Sequence, residues 1–255
     1  MSDPPDTSPS QPPPPTTEPL GGPPPPSASP QRTFRQASWG PAQALLGILC
    51  VLGLLIAGGL LIYPITGADG IDATLASQAL LEIALVATAY GIARRSGERS
   101  PFEALGLRRP RPGWMKTAAA GYGIYFLAVI AIIAVFGDPE QSDVADQLGF
   151  DESVITAIVA AALIVFIVPV CEELFFRGFF FAGMRSKLPF WAAALISALL
   201  FGAVHLGDAN LVAALQLTTL GLVLAAVYER TDSLWSNIAI HAFNNAIAFT
   251  LLVAT

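Results

Sequence analysis

The chain has 255 residues, of which 54% are hydrophobic and only 13% charged, with a formal net charge of −6. Soluble domains carry about 25% charged residues, so half that share excludes an ordinary globular domain and points to a membrane protein. Nothing resembles a nucleic-acid-binding stripe, because the Lys and Arg residues sit beside apolar stretches where membrane topology accounts for them.

Residues 1–40 read as a disordered, proline-rich cytoplasmic tail. PPPP occurs twice there among Ser, Thr and Gln, and such a segment buries too little apolar surface to offset its ordering entropy. Its length ahead of the first apolar run argues against a signal peptide. Residues 41–255 then read as a membrane domain. Seven stretches, 42–63, 73–93, 116–136, 153–176, 189–206, 210–228 and 234–254, are long and apolar enough to cross a bilayer as helices. The fold class expected is therefore all-α, a polytopic bundle of about seven transmembrane helices, and no internal repeat divides it.

Loop charges give the expected orientation. Between 94 and 116 lie Arg94, Arg95, Arg99, Arg108, Arg109, Arg111 and Lys116, whereas loops 64–72 and 137–152 carry acids and no base. An excess of Lys and Arg marks the cytoplasmic side. Arg32, Arg35, Arg185, Lys187 and Arg230 fall on that same side under strict alternation, which makes the N-terminus cytoplasmic.

Within the spans, charged residues need a reason, since each costs about 2.5–3.5 kcal/mol at bilayer depth. Glu173 and Arg177 are four apart with the acid first, the favourable helical order for an ion pair. Glu172 points about 100° away from Glu173 and needs a partner of its own. The chain has only two histidines, His205 and His241, and both fall in apolar stretches. Counting from the turn near Lys187–Pro189, Glu172 and His205 each lie about 24 Å along their helices, so an antiparallel hairpin brings them to one level. His241 lies about 12 Å into the last span, with Asn245 one turn on along the same face.

A carboxylate beside an imidazole can hold and deprotonate a water. A second histidine with an asparagine can donate to the oxyanion of a tetrahedral intermediate. Together they provide what amide hydrolysis requires. The other use of Glu172, His205 and His241 is ligation of a divalent metal such as zinc, although no HExxH stands behind it. Cys50 and Cys171 form no CxxC pattern, and Cys171 abuts two carboxylates, the wrong surroundings for a nucleophilic thiolate. A non-catalytic membrane scaffold, or a proton relay that also uses Glu82, are the competing readings. Glu82 itself is an acid in need of a partner on a neighbouring helix.

Three blocks, EELFFR (172–177), FGAVH (201–205) and HAFNN (241–245), resemble the CPBP family of intramembrane proteases, whose pattern is EExxxR, FxxxH and HxxxN on separate membrane helices. LGLRR (105–109) is similar as well, and the resemblance covers about residues 125–255. That family includes CAAX-processing endopeptidases and bacterial proteins linked to bacteriocin immunity. The resemblance implies an intramembrane endopeptidase acting on a membrane-anchored peptide or protein. Glu172 would be the general base and His205 its partner in orienting the water. His241 and Asn245 would hold the oxyanion, with Glu173, Arg177 and Phe201 in support.

Overall fold

The computed structural model describes residues 34–66, 71–137, 154–206 and 210–254. Most of the proline-rich tail and of the acidic loop 137–152 lies outside the described residues. Among the described residues the chain is helical without strands. In order come α1 (Pro41–Thr66), α2 (Ile71–Arg95), the short α3 (Pro101–Ala104), α4 (Trp114–Phe136), α5 (Val154 to Arg185), α6 (Phe190–Ala203), α7 (Leu211–Thr231) and α8 (Leu234–Ala254).

The bundle carries its grease outward. Leu49, Ile56, Leu60 and Ile65 of α1 and Ile124, Leu127 and Val135 of α4 are exposed, as suits helices solvated by lipid. Among the described residues five helices, α1, α2, α4, α5 and α7, are long and apolar enough to cross a membrane. Helix α6 has 14 residues and ends at Ala203, so it rises only about 21 Å. Helix α8 has 21 residues and carries Asn237, His241, Asn244 and Asn245. The multi-pass membrane architecture stands.

Small residues let the inner helices approach. Ala194, Ala198 and Gly202 line one face of α6 at a spacing of four, the pattern that brings membrane helices into close van der Waals contact. A Cβ on Gly202 would lie 2.0 Å from Thr218 Oγ1 and 2.7 Å from the Ala214 carbonyl of α7. Helix α5 is the centre. Its segment Leu174–Phe181 is buried along its whole length, and a Cβ on Gly178 would lie 2.2 Å from the Leu105 carbonyl.

Helix α5 is not uniformly α-helical. Leu163–Ile167 and Leu174–Phe181 are π-helical, and between them Val168–Glu173 is a short α-helical stretch. Isolated π segments are frequent at functional sites.

The described residues ahead of α1 pack against the bundle. Trp39 is 1% exposed, its indole N–H donates to the Phe179 carbonyl at 2.8 Å, and Phe34 packs edge-on to Phe181 and Tyr228. These two aromatic side chains bind this strap to the bundle. Ion pairs then tie the basic loops together at one end. Arg108 and Arg111 meet Asp232, Arg185 meets Glu229 at 2.9 Å, and Arg35 reaches Glu98 and Glu103.

Candidate active site

The site is built outward from the α-helical stretch between the π segments. Glu173 is fully buried and accepts three hydrogen bonds, from Arg177 NH1 at 2.9 Å, His241 Nδ1 at 3.0 Å and Asn237 Nδ2 at 3.1 Å. Arg177 is likewise 0% exposed, and its guanidinium lies 4.3 Å from the centre of the Phe201 ring. The ion pair expected from the four-residue spacing is present, and it also anchors α8 to α5.

Glu172 faces the other way. Its two oxygens lie 3.8 Å from His205 Nε2 and 3.6 Å from His241 Nε2, longer than direct hydrogen bonds. Both imidazoles are fixed through their other nitrogen. His205 Nδ1 is 2.7 Å from the Phe201 carbonyl, and a carbonyl can only accept, so that nitrogen carries the proton. His241 Nδ1 donates to Glu173 in the same manner. In the neutral rings Nε2 is then an acceptor, and two nitrogen lone pairs and a carboxylate converge from α6, α8 and α5.

Phe201 holds this arrangement in shape. Its ring stands edge-on to His205 at 5.0 Å and to His241 at 5.8 Å, with the Arg177 guanidinium over it. His205 belongs to the turn after α6, not to the helix, so the span expected at 189–206 ends short of it. Asn245 is one turn beyond His241, and its Nδ2 donates to the Ile164 carbonyl at 3.0 Å, leaving its second amide hydrogen for other partners. The sequence reading overlooked Asn237. It lies one turn before His241, and that i, i+4 position on a polar-dotted face was the signal for it.

Glu82 lies on the buried face of α2, 4% exposed. It accepts from Gln78 Nε2 at 2.7 Å, and its other oxygen has no hydrogen-bond partner among the described residues.

A carboxylate with two imidazole nitrogens is a donor set that zinc accepts, and the fixed Nδ1 atoms supply the usual outer support. Tetrahedral zinc sets its ligand atoms about 3.3 Å apart, and the two separations here are wider. Among the described residues no group of three or more His, Cys, Asp or Glu side chains is gathered closely enough to form a metal centre.

Fold and site together define a multi-pass helical membrane protein whose three blocks resemble the CPBP pattern. Residues 154–247 match the family model described as Rce1-like, type II CAAX prenyl endopeptidase Rce1-like. That segment holds Glu172, Glu173, Arg177, Phe201, His205, His241 and Asn245. The chain is also similar to a curated protein of Bacillus subtilis (strain 168) named "Putative membrane peptidase YdiL", 38% identical over 77 residues, which cover 30% of this chain and 30% of that protein. No solved structure matches the chain.

Proposed function

We propose that the protein is an intramembrane endopeptidase that hydrolyses a peptide bond of a membrane-anchored substrate with a water activated by Glu172 and His205. The observation that carries this is the approach of His205 Nε2 and His241 Nε2 to opposite oxygens of one buried carboxylate. Those acceptors suit a molecule that brings two hydrogens, and water is the nucleophile amide hydrolysis needs.

In the proposed reaction Glu172 takes a proton from the water as its oxygen bonds to the scissile carbonyl carbon. The carbonyl electron pair moves onto oxygen. Glu172 then delivers that proton to the amide nitrogen, the C–N bond breaks, and the amine leaves. His205 orients the water. His241, fixed by Glu173, lines the oxyanion side of the site, and the uncommitted hydrogen of Asn245 donates to the oxyanion. Glu172, His205 and His241 would have to draw closer together to hold a divalent metal, which would then polarise the carbonyl and the water. No step above is routed through it.

The substrate class follows from access. An extended peptide cannot lie in hydrocarbon with unpaired amides, so cleavage takes place in a protein-lined, hydrated space. The basic loops favour an N-terminus in the cytoplasm. The test is product release from quenched membrane-anchored peptides by purified protein. Glu172→Gln, which preserves shape and removes the base, should lower turnover by a factor of at least about 100 while leaving the fold intact. Equal release by wild type and variant would defeat the proposal.

A further inference from the structure

The two π segments of α5 are held by side chains from other elements. A backbone carbonyl has two lone pairs, so one already in the helical ladder can accept a further side-chain donor. Three side-chain donors meet carbonyls of these segments. Asn245 Nδ2 of α8 donates to Ile164 in the first. In the second, Ser197 Oγ of α6 donates to Phe176 at 3.1 Å and Trp39 Nε1 of the strap donates to Phe179 at 2.8 Å.

Ser197 differs from several threonines of the neighbouring helices. Thr218, Thr219, Thr231 and Thr250 bond the carbonyl four residues back in their own helix, the ordinary solution for a hydroxyl in an apolar helix. Ser197, 1% exposed, reaches across to α5 instead. Trp39 is accommodated by Gly183, where a Cβ would lie 2.8 Å from the indole, and it stacks on Phe179 at 6.0 Å.

We infer that Ser197 and Trp39 are positioning residues that hold the second π segment and, through it, the directions of Glu172, Glu173 and Arg177. This rests on the function proposed above. A slip of one residue in a helix turns every side chain beyond it by about 100°. Relaxation of Leu174–Phe181 to a plain α-helix would therefore turn Arg177 away from Glu173, or Glu172 away from the histidines. Two donors from different elements, one from α6 and one from the strap, oppose that slip.

The experiment uses full-length protein in detergent with Ser197→Ala, Ser197→Thr and Trp39→Phe. The last keeps the stack on Phe179 and removes only the N–H. Turnover of the quenched peptide and amide hydrogen exchange are both measured, with exchange compared between 174–181 and a control stretch, 118–130. Loss of one such donor is expected to lower kcat about three- to tenfold at unchanged KM. Exchange should accelerate over 174–181 alone, and Ser197→Thr should restore both. Wild-type turnover in both donor-deleted variants overturns the inference, and so does lowered thermal stability without localised exchange. Should wild type cleave nothing, the proposed function falls, and exchange over 174–181 still decides whether the donors hold the segment.

Discussion

Replacing Glu173 by Gln tests the electrostatic centre of the bundle. The carboxylate accepts from Arg177, His241 and Asn237, and both it and Arg177 are shut off from solvent at 0% exposure. An amide of the same shape keeps one acceptor oxygen and presents hydrogens to a donor, so Arg177 is left as a buried charge without its partner. Breaking a buried pair in this way costs about 3–5 kcal/mol, which for a chain of this size lowers Tm by roughly 6–20 °C. The double variant Glu173→Gln/Arg177→Met removes the stranded charge and should recover most of that loss, because apolar replacement of a whole buried pair is often neutral. Unfolding in detergent can be followed with a thiol-reactive fluorophore that reports exposure of Cys50 and Cys171. If Glu173→Gln melts within a degree or two of wild type, or the double variant melts no higher than the single, the buried pair does not bear the weight assigned to it.

Phe201→Leu should retain most of the apolar packing but lose the ring under the guanidinium, an interaction of about 2 kcal/mol when desolvated; a Tm equal to wild type would contradict that. In Gly202→Ala the new methyl meets Thr218 Oγ1 and the Ala214 backbone, so about 1–3 kcal/mol of overpacking strain should appear as a lower Tm. Adding Thr218→Ala should relieve only the part that comes from the hydroxyl. Dialysis against a chelator should leave peptide cleavage intact if the water is held by Glu172 and the imidazoles alone, and restoration by added zinc after a loss would assign those three side chains as ligands.

Much of the bundle and of its polar centre could be read from residue order. The apolar stretches fell where helices form, and the spacing of Glu173 and Arg177 foretold their pairing. Counting residues from the turn at Lys187–Pro189 brought Glu172 and His205 to one level, where they lie 3.8 Å apart. The π segments left no trace, because LIVFI and LFFRGFFF are apolar on nearly every face and their periodicity carries no phase. The strap escaped notice for a different reason. Phe34 and Trp39 are two aromatics just past a proline-rich stretch, and composition averaged over that window hides them. The shortness of α6 was concealed because apolar residues continue through Val204 and Leu206 after the helix itself has ended.

That early ending matters for the surrounding lipid. Helix α7 runs antiparallel beside α6 and is half as long again, with 21 residues against 14, so about 10 Å of its height has no helical neighbour there. The turn at Val204–Leu206 follows α6 directly, and backbone of that kind is stable at hydrocarbon depth only against protein or water. Beside α7, α6 is the shorter wall of the bundle, and bilayers of shorter acyl chains should match it with the least strain.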